Sequence, residues 1–341
     1  MSTVREIAEY AGVSKSTVSL VLNNKSGVSD EMRQTVLNAV DELNSLRTAT
    51  LVPERTMIEH GSEVKSQTIM VLHPPVLRSS YVFGQVLQGI QSVAEMNKLQ
   101  LRLVVNDPKA SSQHVSHLYL TDDYLQPDGA LMFGAQKHEP LLDKVVEQGI
   151  PCVVLGREVK RYDVSGIERD ETRYAYQLTQ HLIDLGHRSI VFAGGDQRYD
   201  FTHTRLLGYQ LAMEDAGAPP KPEHICLGDG ATATQTLLDA NPDATAIIYV
   251  NDSYAQEGVS VLSERGLAIP DNIAIASFDN SEFAQTYDVP ITSIAYDHYK
   301  EGQWAIKMLL EKIRYPFIDK SHLSFKGNLI VRASTDASQL S

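Results

Sequence analysis

From Thr68 onward, short aliphatic and β-branched runs alternate with amphipathic stretches of helical period, which restricts the chain to parallel sheet wrapped in helices. A first set predicts strands over residues 69–72, 101–105, 129–133 and 152–155, with helices over 82–97, 111–124 and 140–148 between them. The rhythm then restarts. Helices are predicted over 173–185, 205–216 and 255–265 and briefly near Thr234, among strands at 190–193, 224–227, 246–250 and 273–278. Two α/β halves follow, in keeping with a length of 341 residues that is too great for one ordinary core. The closing segments 293–296, 299–313 and 329–332 are too few for a third domain and are expected to cross back and complete the first two.

The opening residues break this pattern. Thr3 caps a first helix, Glu6 stands three residues later to reach back to the cap, and Ile7, Ala8 and Ala11 supply its apolar face. Gly12 ends it. Ser14 caps a second helix in which Val18, Val21 and Leu22 face inward and Lys15, Ser16, Thr17 and Ser19 face outward. Ser29 caps a third, with Glu31 in its first turn and Met32, Val36, Leu37, Val40 and Leu43 as its apolar stripe. A hairpin of this kind suits mere packing on a neighbour, but its small hydroxyl and amide side chains also fit a major groove. Residues 46–67 carry no sustained period and read as a linker.

The run GVSKSTVSLVLNN, followed by Gly27-Val28-Ser29 and Arg33, resembles the DNA-binding headpiece of the lactose-repressor (LacI/GalR) family of bacterial regulators. The later runs GIPCVVLGRE, HLIDLGHRSIVFAGG, AIIYVNDSYAQEGV, IAIASFDN and LIVRAST look like the effector-binding core of that family, a fold shared with periplasmic sugar-binding proteins. The resemblance implies an α/β chain with a three-helix helix-turn-helix headpiece, residues 1–45, and a two-lobed, double Rossmann-like core, residues 68–341. Lobe 1 is expected at about 68–165 and 296–325, and lobe 2 at about 166–295 and 326–341.

By the same resemblance the chain is a cytoplasmic repressor that binds double-stranded DNA as a homodimer. Its operator is then pseudo-palindromic, with half-sites ~34 Å apart, and a small molecule, a sugar, sits between the lobes. The tail after Arg332 has no leucine heptad, so a dimer is expected rather than a tetramer. DNA contacts map to Thr3, Ser14, Lys15, Ser16, Thr17, Ser19, Leu20, Asn23, Ser29 and Arg33. Leu20 stands where many relatives place a guanine-reading arginine, which shifts base readout to Lys15, Ser16, Thr17 and Asn23 and leaves Leu20 for a thymine methyl. The linker has Ser45-Leu46-Arg47-Thr48 in place of the usual tyrosine-x-proline-asparagine, and Glu54 aligns with the family's minor-groove leucine. Leu51 and Val52 are the available substitutes, so little DNA bending is expected.

For the effector, the resemblance and the strand ends point to Ser79, Ser80, Phe83, Arg157, Arg205, Asn251, Asp252 and Asp279. Asn251-Asp252 and Asp279 follow strand-like runs, at the carboxyl ends where such folds bind ligands. Carboxylates and amides bridge adjacent hydroxyls, an arginine fixes direction, and an aromatic face covers the apolar side of a sugar ring. Each has a structural counterpart: helix capping or a turn for Asp252 and Asp279, an ion pair for Arg205, core packing for Phe83. Gly156 stands where the family often has an acid, and Arg157 beside it suits an acidic or phosphorylated ligand if it turns toward the cleft.

Other classes find less support. No Walker loop, GxSxG elbow, HExxH or paired CxxC is present, and Gly194-Gly195 lacks dinucleotide-fingerprint spacing, so no enzyme activity, cofactor or metal is expected. A nicotinamide-dependent Rossmann oxidoreductase explains the alternation but not the headpiece, and a free-standing sugar-binding protein explains neither the headpiece nor the missing signal sequence. No membrane-length apolar run occurs. Cys152 and Cys226 lie far apart in strand-like runs and are expected to be free, buried thiols.

The net charge is −13, and residues 1–47 hold five basic against six acidic side chains, so phosphate contacts must lean on hydroxyls, backbone N–H groups and helix N-termini. Binding to a random-sequence duplex is therefore expected to be weak, with a shallow salt dependence. A fluorescence titration over a range of salt concentrations checks this, and a steep, sequence-independent loss of affinity would contradict it.

Overall fold

The computed structural model describes residues 4–22, 27–29, 32–33, 35–36, 39, 67–73, 81–105, 126–134, 140–156, 164–316 and 318–335. The predicted helix at 111–124, the linker through residue 66 and the stripe residues Leu37, Val40 and Leu43 lie outside them. The chain divides into two compact units, Met1–Val64 and Lys65–Ser341.

In the first unit, helices α1 (Val4–Ala11) and α2 (Lys15–Leu22) are joined at Gly12, whose φ of 65° is the left-handed conformation that closes a helix. The Val13 N–H returns to the Ala8 carbonyl at 3.0 Å, and Ser14 Oγ accepts from the Thr17 N–H at 3.1 Å, which starts α2. Residues 32, 33, 35, 36 and 39 are helical, and Ser29 Oγ accepts from the Met32 N–H at 3.3 Å. Ile7, Ala8, Val18, Val21 and Val36 form the small core. Met32, read as part of the apolar stripe, is instead 40 % exposed because it sits on the outer side of that first turn.

The second unit holds two six-stranded sheets. The first takes β1 (Thr68–His73), β2 (Gln100–Val105), β3 (Gly129–Phe133), β4 (Cys152–Leu155), β5 (Ser165–Arg169) and β11 (His322–Phe325) in the order β11-β5-β4-β3-β1-β2, all parallel. The second takes β6 (Ile190–Ala193), β7 (Ile225–Cys226), β8 (Ala246–Tyr249), β9 (Ala274–Phe278), β10 (Thr292–Ala295) and β12 (Asn328–Ile330) in the order β12-β10-β9-β8-β6-β7, parallel except for the β10–β12 pair. Helices α3 (Tyr81–Met96), α4 (Pro140–Glu147) and α10 (His298–Arg314) cover the first sheet. Helices α5 (Glu171–Asp184), α6 (Asp200–Asp215), α7 (Gly230–Ala240) and α8 (Asp252–Glu264) cover the second, and α9 (Glu282–Thr286) follows β9.

Strands such as Cys152–Leu155 and Ile190–Ala193 are buried along their whole length, which is why they read as continuous apolar runs rather than alternating ones. Among the described residues no helix is long and apolar enough to cross a membrane. Both cysteines are free; Cys152 is buried, whereas Cys226, on the edge strand β7, is only half-buried.

The chain passes between the sheets three times, after β5, after β10 and after β11. The first crossing corrects a boundary: residue 165, where the sequence suggests that lobe 1 ends, opens β5, which pairs with β4 and β11 in the first sheet. Ser-Gly-Ile-Glu-Arg carries one large apolar residue, Ile167, too little to signal a strand.

Helices α3 and α10 meet at small residues. A Cβ on Gly302 would collide with the Val86 carbonyl oxygen, and one on Gly89 with that of Tyr299. Gly302→Ala is expected to lower the unfolding free energy in urea by about 1–3 kcal/mol through forced separation of the helices. Gly84→Ala, in α3 with nothing within 4 Å, should be neutral or stabilising in the same assay.

Candidate functional site

A cleft of about 780 Å³, its mouth included, opens between the two sheets where the carboxyl ends of their strands converge. The first sheet's side contributes Tyr81, Val82, Phe133, Gly134, Leu155, Gly156 and Arg169. The second sheet's side contributes Tyr199, Asp200, Phe201, Arg205, Asn251, Asp252, Ser253, Asp279 and Ser281. One wall is therefore mainly aromatic and aliphatic and the other mainly polar.

Arg205 is at the centre of the polar wall. Helix α6 begins at Asp200, five residues before the sequence suggests, so Arg205 lies on its inner face, 2 % exposed. Its Nε and Nη2 donate to the two Glu171 carboxylate oxygens at 2.7 and 2.9 Å, and its Nη1 donates to the Val250 carbonyl at 2.6 Å. A longer contact of 3.4 Å runs from Nη2 to Asp279. Its flat faces are covered by Phe278, 4.3 Å from the ring centroid, and Phe201, 5.3 Å.

The chain of charges continues across the first crossing between sheets. Glu171 also accepts from Tyr296 Oη at 3.0 Å and from Arg169 Nη1 at 3.5 Å. Arg169 in turn donates from Nε and Nη2 to Glu301 at 2.7 Å each, and His298 Nδ1 stands 3.1 Å from the same carboxylate. Arg169, on β5, and Glu301, on α10, belong to the first sheet's layer, whereas Glu171 and Arg205 belong to the second. Burial alone would raise both glutamates, but the neighbouring guanidiniums prevail: Glu171 is held below its ordinary value, and Glu301 at about 2.

Asp252 is set differently. Asn251, not Asp252, caps α8, its Oδ1 accepting from the Ser253 and Tyr254 N–H groups at 3.1 and 3.3 Å. That frees the Asp252 carboxylate to accept from Ser277 Oγ, from Ser293 Oγ at 3.1 Å and from the Ser281 N–H at 2.6 Å. Burial first, and then the charge of Asp279, push it up to about 6. Asp279 itself sits at φ 94°, a strained turn that leaves β9 and holds its side chain in the cleft.

The sequence-derived effector residues thus separate. Arg205, Asn251, Asp252 and Asp279 come together in the cleft wall. Phe83 does not: it is 5 % exposed and packs on His73 and Phe133, with ring centroids 4.4 and 5.6 Å away, because it falls on the inner face of α3. Ser79, Ser80 and Arg157 lie outside the described residues. The functional residues that sequence reasoning missed include Tyr81, Phe133, Arg169, Tyr199, Asp200, Phe201, Ser253 and Ser281, together with Glu171 behind the wall. The Tyr199–Phe201 stack, 5.6 Å apart at 18°, follows from two aromatics flanking a helix start, a signal that was present in Tyr-Asp-Phe. Among the described residues no group of histidine, cysteine or carboxylate side chains is arranged to hold a metal ion.

On the headpiece, Ser14, Lys15, Ser16, Ser19 and Ser29 are exposed, and Thr17, Leu20 and Arg33 half-buried. The Ser14 hydroxyl lies 2.8 Å from those of Ser16 and Thr17 and thereby groups three small donors at the start of α2. Thr3 and Asn23 lie outside the described residues.

A helix-turn-helix unit and a two-lobed core with a polar cleft at its strand ends together define a ligand-responsive DNA-binding regulator. The sequence profile of bacterial regulatory proteins, lacI family, matches residues 3–46, and that of the periplasmic binding protein-like domain matches residues 179–335. The chain is 28% identical to the HTH-type transcriptional repressor CytR of Escherichia coli (strain K12), over 98% of its own length and 97% of that protein's. It is 25% identical to catabolite control protein A of Priestia megaterium, over 98% and 99%. The solved transcriptional regulator CelR–cellobiose complex superposes with a TM-score of 0.74 at 26% identity, over 98% of this chain and 100% of that one. The chain thus joins a lacI-family DNA-binding domain to a periplasmic binding protein-like domain, the organisation of a DNA-binding transcriptional regulator.

The Asp252 shift carries a pH signature. Its folded value of about 6 lies above the ordinary 3.8, so its contribution to stability is fully present below pH ~4 and is lost as pH rises through 6. Between pH 4 and 7 the wild type should lose ~2 kcal/mol more unfolding free energy than Asp252→Asn, as read from urea titrations at each pH. Parallel pH profiles would refute the assignment.

Proposed function

We propose that the chain is a transcriptional repressor that binds a pseudo-palindromic operator as a homodimer, and that a small molecule, a sugar, in the cleft of the core sets its operator affinity. The observation that carries this is the cleft itself. Carboxylate, amide and hydroxyl groups of Asp279, Asn251, Ser253 and Ser281 face aromatic side chains of Tyr81 and Phe133, the pairing that a ring with hydroxyls on its edges and an apolar face requires. The cellobiose held by the CelR structure supports the choice of ligand.

In this reading residues 1–45 are the headpiece, 46–67 the hinge and 68–341 the core, whose lobes are each built on one of the two sheets. The α2 hydroxyls of Ser14, Ser16, Thr17 and Ser19, with Lys15, Leu20 and Asn23, read base edges and phosphates; Thr3, Ser29 and Arg33 contact the backbone. Ligand contacts are made by Arg205, Asn251, Asp252 and Asp279, together with Ser79, Ser80 and Arg157. A ligand that engages both walls favours the closed arrangement of the lobes, and a differential affinity of ~1–3 kcal/mol between arrangements is enough to switch operator occupancy.

In-vitro selection of bound duplexes by the full chain, repeated with a panel of sugars, reports the operator, its symmetry and the sign of the coupling. Asp279→Asn is expected to raise by ~10–100-fold the effector concentration that shifts operator binding, the worth of one hydrogen bond to a charged group. Selection of an asymmetric site, or operator binding indifferent to every member of the panel, would count against the reading.

A further inference from the structure

We propose that the cleft selects an uncharged ligand bearing adjacent ring hydroxyls, a free saccharide or nucleoside, and rejects its phosphorylated or carboxylated counterparts. This rests on the effector reading above and names the chemical class of that site's ligand.

The inference comes from how the cleft's arginines are engaged. Among the described lining residues the cations are Arg169 and Arg205. Each already faces a carboxylate through two N–H groups, Arg205 with Glu171 and Arg169 with Glu301. Arg205 gives further N–H groups to Val250 and Asp279, and its two faces are covered by Phe201 and Phe278. Arg169 gives others to Glu171 and toward His298 Nδ1. A guanidinium has five N–H donors, so Arg205 keeps one for a ligand and no bidentate edge, while Arg169 keeps at most two, since the His298 Nδ1 that donates to Glu301 cannot also accept from it.

The balance of charge points the same way. Two guanidiniums are surrounded by the carboxylates of Glu171, Glu301 and Asp279, with Asp252 also on the wall. A phosphate brought against these groups meets acceptors rather than donors, and among the described residues no unpaired cation replaces its hydration. A sugar hydroxyl suits it: the group donates to Asp279 and accepts the single remaining N–H of Arg205, while the Tyr199–Phe201 stack and Phe133 offer flat apolar surface. The Glu171 carboxylate therefore converts an arginine of anion-binding type into a neutral polar wall, a positioning role exerted through Arg205.

The test uses the full chain, thermal-shift titration and calorimetry, and matched probes: ribose with ribose 5-phosphate, glucose with glucose 6-phosphate, glucose with gluconate, and uridine with uridine monophosphate. An uncharged member is expected to bind at least ~100-fold more tightly than its anionic partner, the cost of an uncompensated buried charge. An anionic member that binds as well as its neutral partner overturns the proposal. If that binding disappears in Arg157→Ala, the cation beside Gly156 is its source, and the proposal fails for that reason.

Inorganic phosphate keeps the test decisive when no panel member binds, an outcome that sinks the choice of panel sugars and nucleosides but not the exclusion of anions. At matched ionic strength, the wild type should show no saturable phosphate binding, whereas Glu171→Gln, by releasing Arg205, should gain it. Asp279→Asn serves the same purpose if Glu171→Gln fails to fold. Saturable phosphate binding by the wild type, or no gain in a folded variant, refutes the role given to Glu171.

Discussion

The two-lobed core turns on the buried contact between Glu171 and Arg205. Both side chains are at least 96 % hidden from water and are joined by two hydrogen bonds, so loss of either partner alone leaves a naked charge in the interior, at a cost of about 3–5 kcal/mol. The pair holds more than itself together. Arg205 fixes the end of β8 through the Val250 carbonyl, and Glu171 gathers Tyr296, which follows β10, and Arg169, which ends β5. Two of the three passages between the sheets are therefore tied to one carboxylate. The sheets themselves are held by ordinary apolar burial, but the cleft between them owes its shape to this polar chain.

Placement of the chain at the crossings gives it a role in coupling. Glu301 and His298 open α10, which packs tightly on α3 through Gly89 and Gly302, and α3 begins at Tyr81 on the opposite wall of the cleft. A ligand touching Arg205 and Tyr81 thus bears on both lobes through contiguous, nearly incompressible packing. The same buried carboxylates give the cleft an acidic balance, which turns an arginine-bearing site toward neutral hydroxyls. In the headpiece, which is not basic, the hydroxyls of Ser14, Ser16 and Thr17 are grouped at the start of α2.

Much of this was legible in the residues. The strands at 129–133 and 152–155 were read with their observed bounds because fully buried parallel strands are continuous apolar runs with glycine or proline beside them. The headpiece helices were marked by their caps and by Gly12. The strands β5 and β11 were not legible: Ser165–Arg169 and His322–Phe325 are short, mixed in character and ordered by their partners across the sheet. The start of helix α6 is not legible either, because Tyr199 caps it without a side-chain hydrogen bond, so no cap signal precedes Asp200.

The sequence by itself determined the alternation that makes an α/β core, the helix-turn-helix before it, and the strand ends that present Asn251, Asp252 and Asp279. These are local properties, set by period, cap and turn within a few residues. Only the tertiary structure decided what those groups face. Arg169 finds Glu301 across 132 positions, Arg205 finds Glu171 across 34, and Asp252 finds Ser293 across 41. Such partners are chosen by which strand ends converge. The raised pKa of Asp252 and the pairing of the Arg205 charge follow from burial and charge proximity, neither of which is encoded by spacing along the chain.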